Sequence, residues 1–287
     1  MRKFLLILVA ALLLSVAACA APGQPAAEPQ AELSEPLTVR ICGDGVEGGE
    51  QSVDLNALYQ QYASSAVYST VNNWPLPKFY AASGVPVAQV LAAAGVGDYG
   101  TVNFAAADGY NITLTRQQLE EPRYSYPGLL SGDESGAEQV EPILALAFKE
   151  DSDDLAEILP DQPAFIFGQA NIFEHTNPAF IENISVITVS AAPPEQWPLA
   201  YTFPVPGEVR AGDLVKLQHD SFGLVKLHYT TDGSDPDQLS PMYNPSTYQP
   251  ELNVPLTINE DTLIKVRVYG YGKQPSDIAE WRFTVAQ

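Results

Sequence analysis

The sequence predicts an α+β part followed by an all-β sandwich, and three observations carry that prediction. Upstream of Ser190–Glu195 the apolar residues mix helical and strand spacing along the chain. Downstream of it the segments have the spacing of strands alone. Ser190–Glu195 itself reads SAAPPE, which has the composition of a boundary segment. We therefore expect two domains, over residues 37–190 (the N-terminal part) and 197–287 (the C-terminal part).

Two short helices are predicted in the N-terminal part. Leu55, Leu58 and Tyr59 have the spacing of one helical face. Ser52 or Asp54 precedes them as the capping residue. The second helix covers residues 86–95, with proline in its first turn and glycine just past its end.

Strands are predicted in the same part from short runs of apolar residues. Asp108-Gly109 separates two alternating segments and is a strong hairpin signal. The predicted strands cover residues 37–42, 66–71, 101–105, 110–114, 164–167 and 184–189.

The first 19 residues predict a lipoprotein signal peptide. A basic head at positions 2 and 3 precedes an apolar run over Phe4–Leu14, which is too short for a mature membrane span. Val16-Ala17-Ala18-Cys19 matches a lipobox, in which the cysteine thiol is acylated and becomes the new N-terminus. An ordinary signal peptide cut after Ala18 or Ala20 is the alternative.

Residues 20–36 are predicted to be a disordered tether, since they are rich in Ala, Pro and Glu and hold no aromatic residue. Together with lipidation at Cys19, this predicts a membrane lipoprotein on the extracytoplasmic face, at the cell surface or in the periplasm. The membrane would be reached through the N-terminal lipid.

Charge and cysteine content limit the partners. With 14 Lys and Arg against 35 Asp and Glu, the net charge of −21 argues against nucleic acid. A small neutral or cationic ligand, or an envelope protein, fits this charge better. After Cys19 is lipidated, Cys42 is the one remaining thiol, so neither a disulfide framework nor a thiolate metal cluster is expected.

The amino-acid sequences of several N-terminal segments resemble the molybdopterin-binding domain of the sulfite oxidase family. These are Tyr68–Trp74 (YSTVNNW), Ala82–Leu91 (ASGVPVAQVL), Ala107–Tyr110 (ADGY) and Phe180–Val189 (FIENISVITV). The resemblance implies an α+β fold, a molybdenum pterin cofactor and oxidoreductase chemistry. It also implies that a cysteine of the segment resembling Tyr68–Trp74 coordinates the metal.

The chain departs from that family at the metal. The family's cysteine falls on Thr70, and a threonine hydroxyl is a poor ligand where a soft thiolate is used. The N-terminal part also has only five Lys and Arg against 20 acidic residues, although a pterin phosphate calls for basic groups. We therefore expect no metal and no cofactor.

The function expected is a non-catalytic ligand- or partner-binding module. A molybdopterin-dependent oxidoreductase with a non-cysteine site and a structural envelope protein remain alternatives.

A rebuilt site would use the polar residues near the family's cofactor position. The candidate ligand-binding residues are Thr70, Asn72, Asn73, Trp74, Asn171, His175 and Asn177. Alternatively, the asparagines 72, 73 and 177 satisfy turns, Trp74 belongs to the core, and His175 is a capping or buried structural histidine. No catalytic residue is assigned.

The C-terminal part carries a second resemblance. Residues 225–236 read VKLHYTTDGSDP and resemble the Tyr-Thr-x-Asp-Gly-x-x-Pro hairpin of the chitobiase/β-hexosaminidase C-terminal-like domain. That resemblance implies a small immunoglobulin-like sandwich without catalytic residues. Residues 262–270 and 276–285 are predicted as its late strands. His219 and His228 are expected at strand surfaces or edges.

Overall fold

The computed structural model describes residues 37–286, and all of them belong to one compact unit. The predicted signal peptide, Cys19 and the predicted tether over residues 20–36 lie outside the described residues. Within the described range, no helix has both the length and the apolar composition required to cross a bilayer.

The N-terminal part is dominated by strands that form two main sheets and a small ribbon. Its strands are β1 (Thr38–Cys42), β2 (Glu50–Asp54), β3 (Ser64–Val71), β4 (Pro77–Pro86), β5 (Thr101–Ala106), β6 (Asn111–Thr115), β7 (Arg123–Ser125), β8 (Glu138–Val140), β9 (Ile143–Glu150), β10 (Leu159–Ile166) and β11 (Ile184–Ser190). One sheet has the order β2-β1-β11-β5-β6, the other has the order β10-β9-β4-β3, and β7 pairs with β8. The β1–β11 pair is parallel.

The helices of this part are short. They are α1 (Leu55–Tyr62), α2 (Val87–Ala93) and α3 (Arg116–Glu120), with 3₁₀ turns at Leu129–Ser131, Leu155–Glu157 and Asn177–Ala179. Asp54 caps α1 by accepting from the amides of residues 56 and 57, as its sequence predicts. Thr115 and Gln118 form a reciprocal capping box at the start of α3.

The predicted α+β class is wrong, because strands make up 46% of the described chain and helices 13%. The architecture fits packed β-sheets of an all-β sandwich better than a large molybdopterin-binding domain. The sequence patterns missed β4 and β9. The first five residues of β9 are all buried, so it lacks the alternation that marks a strand, and β4 has proline at both ends.

Aromatic stacking joins the two main sheets in the core of the N-terminal part. The rings of Phe104 on β5 and Phe165 on β10 stack with centroids 4.0 Å apart. Phe167 continues the stack from Phe165 at 5.1 Å. Fully burying an aromatic side chain contributes roughly 1.5 to 3 kcal/mol, so this stack is a main contact between the sheets.

The C-terminal part is two further sheets over their own core. Its strands are β12 (Tyr201–Phe203), β13 (Gly207–Val209), β14 (Asp213–Gln218), β15 (Val225–Thr230), β16 (Leu256–Ile258), β17 (Thr262–Gly270) and β18 (Ala279–Val285), with a 3₁₀ turn at Pro250–Leu252. The sheet orders are β12-β14-β16 and β13-β18-β17-β15. The predicted strands at 262–270 and near 276–285 are confirmed. So is the turn after β15, where Gly233 has φ +88°.

Candidate functional site

The turn after β17 packs against the N-terminal part and is hydrogen-bonded to it. Gln118 of α3 donates from its side chain to the carbonyl of Gly270 (2.9 Å) and accepts from the amide of Gly272 (3.0 Å). Gly272 has φ +77°, and a Cβ there would lie 2.9 Å from the Cβ of Thr113 on β6. Only glycine therefore allows this approach without strain.

Tyr271, between those two glycines, is inserted into the N-terminal part. Its hydroxyl donates to Glu174 Oε1 (3.1 Å) and lies 3.3 Å from the carbonyl oxygen of His175. Its ring packs edge-on against Phe167, with centroids 5.7 Å apart. Burial, together with the charge of Glu174, raises the pKa of Tyr271 well above its usual 10, so the hydroxyl remains a donor.

A buried arginine orders the loop that carries Glu174. Arg123 on β7 is 1% exposed, and its guanidinium pairs with Glu121 (2.5 Å) and with Glu174 (2.7 Å). The same oxygen of Glu174 that contacts Arg123, Oε2, also accepts from the amide of Ala170 at 2.5 Å. Both oxygens of Glu174 are thus occupied by protein donors, and the segment leading into His175 is held in place.

A cavity of about 370 Å³ lies where the two parts meet, and we call it the central cavity. Its volume is in the range of small-molecule sites. Its walls combine aromatic and aliphatic side chains with a few polar groups from both parts. The residues that line it include Asn73, Tyr99, Asn171, Phe173, His175, Gly223, Lys226, His228 and Tyr269.

His175 presents a buried polar atom without a partner. The residue is 9% exposed, and its Nδ1 is fully buried without a hydrogen bond. Burial, and then the nearby charges of Lys226 and His228, lower the pKa of His175 to about 3. The imidazole is therefore neutral at pH 7. An unpaired buried nitrogen carries a desolvation cost, which a ligand could remove.

Lys226 and His228 reach the same cavity from β15, where alternate residues share one face. Lys226 Nζ donates to the carbonyl oxygens of Asn244 and Pro245, both at 3.2 Å. Burial lowers the pKa of Lys226 to about 8. His228 Nδ1 lies 2.8 Å from the carbonyl oxygen of Ser240 and so acts as donor, and burial lowers the pKa of this ring too.

Three of the seven sequence-predicted site residues line the central cavity: Asn73, Asn171 and His175. The carbonyl of Asn73 also accepts from the Ser246 hydroxyl of the C-terminal part at 2.8 Å. The side chain of Asn171 accepts from the amide of Phe173 (3.0 Å), so it shapes the loop before His175.

The other four lie elsewhere. Thr70 is fully buried and its hydroxyl pairs with that of Thr176 at 2.6 Å. Asn72 accepts from two amides of its own turn, at 2.9 and 3.0 Å. Trp74 is 47% exposed, so it is not a core residue, and it stacks on Tyr248 with centroids 5.2 Å apart. Asn177 donates to the Tyr80 hydroxyl (3.0 Å) and lines a second hollow.

The sequence reasoning missed the contribution of the C-terminal part. No sequence pattern marks Lys226, Tyr269 or Tyr271 as site residues. His228 lies on β15, an edge strand as expected, but neither His219 nor His228 is at the surface, since both are 4% exposed. The alternation of Lys226 and His228 on β15 marks one face of a strand. No pattern in the sequence shows that this face meets the N-terminal part.

The residues present do not fit the molybdenum centre that the family resemblance implies. Thr70 occupies the ligand position, and its hydroxyl is committed to Thr176. Cys42, the only cysteine in the described residues, lies on β1 with its thiol 3.7 Å from the Thr188 hydroxyl, and it does not line the central cavity. Among residues 37–286 no cluster of three or more His, Cys, Asp or Glu side chains has the arrangement of a metal site.

Comparisons with known proteins give two likenesses. Residues 215–283, which span β14 to β18, match the model of the family described as Fn3 associated. Among solved structures, the chain is similar to the sulfane dehydrogenase SoxCD from Paracoccus pantotrophus at 12% sequence identity and a TM-score of 0.33. That likeness covers 88% of this chain and 76% of the other, and at this TM-score no conclusion about chemistry is drawn from it. No curated protein matches the sequence.

Proposed function

We propose that this protein is a lipid-anchored, extracytoplasmic binding module that holds a small ligand in the central cavity without catalysing a reaction. The C-terminal part, an Fn3-associated β-sandwich that resembles a chitobiase C-terminal-like domain, closes one side of the cavity. The anchor would be the lipid on Cys19.

The observation that carries the proposal is His175, a residue that lines the cavity and whose Nδ1 is buried without a hydrogen-bond partner. Neighbouring polar groups such as Glu174 are occupied by protein donors. A group that stays unpaired beside a cavity with aromatic walls is suited to a ligand with one polar end.

The burial and hydrogen bonding of Thr70 favour a ligand-binding function over molybdenum oxidoreductase chemistry. Its hydroxyl is fully buried and paired with Thr176, and a threonine hydroxyl is a poor ligand where a soft thiolate is used. Elemental analysis of protein from a host that makes the pterin tests this, with Thr70→Cys as the comparison. Near-stoichiometric molybdenum in the wild-type protein would replace the binding proposal with the oxidoreductase one.

Blocking the cavity tests the binding proposal directly. Gly223 lines it, and a Cβ added there meets no atom nearer than 4.0 Å, so Gly223→Leu fills space without a clash at its base. Gly97→Leu is the matched control, because a Cβ at Gly97 is also unobstructed and the residue lies outside the central cavity. Neither glycine has a positive φ.

The probes are benzamide, benzylamine and benzoate, three small aromatic molecules that are neutral, cationic and anionic. Saturation-transfer NMR should detect binding of at least one to the wild-type protein and to Gly97→Leu, with loss in Gly223→Leu. Equal signals from all three proteins, or no signal from any probe, would refute binding in the central cavity.

The exposed stack of Trp74 on Tyr248 favours a second candidate, docking of an envelope protein. The two rings lie 13° from parallel and are 47% and 61% exposed. Exposed aromatic residues are frequent anchors of interfaces. Crosslinking in intact cells should give a partner that is lost in Trp74→Ala and retained in Tyr110→Ala, another exposed aromatic residue. An unchanged pattern in Trp74→Ala would exclude this stack as the docking surface.

A further inference from the structure

We propose that the central cavity binds the carboxylate of a small aromatic or aliphatic monocarboxylate, held between Lys226 of the C-terminal part and His175 of the N-terminal part. This inference rests on the binding function proposed above and specifies its ligand. It reverses the preference for a neutral or cationic ligand that the overall charge of the chain suggests.

The first step is that Lys226 has no carboxylate partner. No salt bridge involves it within the described residues, and its Nζ contacts only two carbonyl oxygens. Three other lysines of this acidic chain are paired, Lys78 with Glu150, Lys265 with Asp235 and Lys273 with Glu195, whereas Lys149 and Lys216 have no salt bridge among residues 37–286 and do not line the central cavity. Carbonyl oxygens orient an ammonium group but leave its charge uncompensated, which favours an anion nearby.

The second step is that the acids around the cavity already have hydrogen-bond donors from the protein. Glu121 and Glu174 pair with Arg123, and Glu174 also receives the hydroxyl of Tyr271. Asp237, which acts electrostatically on His228, accepts from the amides of Leu239 and Ser240. Lys226 and His175 therefore lie at a cavity whose acidic neighbours already accept hydrogen bonds from protein groups, within a chain of net charge −21.

The third step concerns histidine. His175 and His228 both have pKa values lowered by burial and by the charge of Lys226. A bound carboxylate would supply a compensating negative charge, allow His175 to take up a proton and give its buried Nδ1 a hydrogen-bond partner. The remaining walls, with Tyr99, Phe173 and Tyr269, suit an apolar body behind the carboxylate.

One acid group is favoured over phosphate. Lys226 is the cation left without an ion pair at this end, and a single ammonium with neutral imidazoles balances one negative charge better than two. The ligand class is thus an organic monocarboxylate.

The test compares benzoate with benzamide, which has the same shape but no charge. Benzoate should bind the wild-type protein about tenfold or more tightly than benzamide, as a charge-assisted hydrogen bond requires. Lys226→Met should remove that difference in affinity, and Lys226→Arg should keep it. Lys265→Met is the control, because Lys265 pairs with Asp235 outside the cavity, and this variant should bind both probes as the wild-type protein does. As a second readout, the imidazole ¹⁵N resonances of His175 should show a raised pKa with benzoate.

The outcomes separate this inference from the proposed function. If benzamide or benzylamine binds as well as benzoate and Gly223→Leu abolishes that binding, the cavity binds ligands but the monocarboxylate inference is wrong. If benzoate binds equally to wild-type protein and Lys226→Met, Lys226 does not recognise the carboxylate and the inference also fails. If Gly223→Leu leaves binding of all three probes unchanged, both proposals fail.

Discussion

The hydroxyl of Tyr271 donates to Glu174 Oε1 at 3.1 Å and lies 3.3 Å from the carbonyl oxygen of His175, so it connects the C-terminal turn to the loop that carries His175. Glu174 in turn pairs with the buried Arg123. The position of His175 in the central cavity thus depends on a residue nearly 100 positions away in the sequence. Tyr271 therefore connects the stability of the fold to the position of a residue that lines the central cavity.

Tyr271→Phe should lower the free energy of unfolding by about 1 to 2 kcal/mol, because it removes the donor to a mostly buried carboxylate. Urea denaturation of the full chain measures this. Tyr248→Phe is the matched control, since Tyr248 is 61% exposed and its loss of a hydroxyl should change little. Equal midpoints for the two variants would mean that the Tyr271 hydroxyl contributes nothing to stability.

Stability should fall between pH 7 and pH 5.5 because of His175. Its pKa is about 3 when folded and about 6.5 when unfolded, so the unfolded chain binds the proton first and stability is lost as the pH drops below 6.5. The loss from this group is about 1 kcal/mol over that interval. His175→Asn should lose correspondingly less stability in denaturation curves at the two pH values. An identical pH dependence in wild type and His175→Asn would contradict the assignment.

Gly272→Ala should be more damaging than an ordinary glycine replacement. It combines a φ of +77° with a Cβ contact of 2.9 Å to Thr113, so we expect a loss of roughly 2 to 3 kcal/mol. Gly233→Ala isolates the backbone effect, because its φ is +88° and nothing lies within 4 Å, and it should cost about 1 kcal/mol. Thermal unfolding of both variants measures the difference between their losses of stability. Equal losses would mean that the turn can move away from Thr113.

The two-domain prediction leads to a fragment experiment. Residues 37–190 and 197–287 should each melt cooperatively, since each has its own core cluster. The N-terminal fragment should melt below the full chain, because it lacks Tyr271. Differential scanning calorimetry measures both transitions, and failure of both fragments to fold would show that the parts share one indivisible core.

Membrane attachment through Cys19 stays a prediction from the lipobox. Cys19→Ala should release the protein from the membrane fraction or leave an unprocessed precursor. Cys42→Ala is the control with an equal loss of a thiol, and it should remain attached. A Cys19→Ala protein that is processed and membrane-bound like wild type would disprove the lipid anchor.

Local chemistry predicted the local structure well. The Asp54 cap, the Asp108-Gly109 hairpin and the turn at Gly233 follow from residues within a few positions of one another. The fold class was wrong because β4 and β9 carry proline or full burial in place of alternation. Those two strands pair with each other, which a pattern of single segments does not reveal.

The candidate site could be predicted only in part for the same reason. The polar segment around His175 stands out in the sequence, and Asn73, Asn171 and His175 do line the central cavity. Lys226 and His228 reach it because β15 of another sheet faces that segment, a long-range arrangement set by packing. The net charge of the chain could not indicate Lys226 either, since a sum over all residues does not record that a lysine lining the cavity has no carboxylate partner.

The close approach of Gly272 to Thr113 has a consequence for how the central cavity admits a ligand. The turn is held against β6 by van der Waals contact and by Gln118, so we expect the two parts to keep their relative position when a ligand enters. The proposed binding would then need little ordering of the backbone. If the cavity binds a carboxylate as proposed, the fixed distance between its walls would limit the size of the ligand, and an acid too large for that space would be excluded even with its charge suited to Lys226.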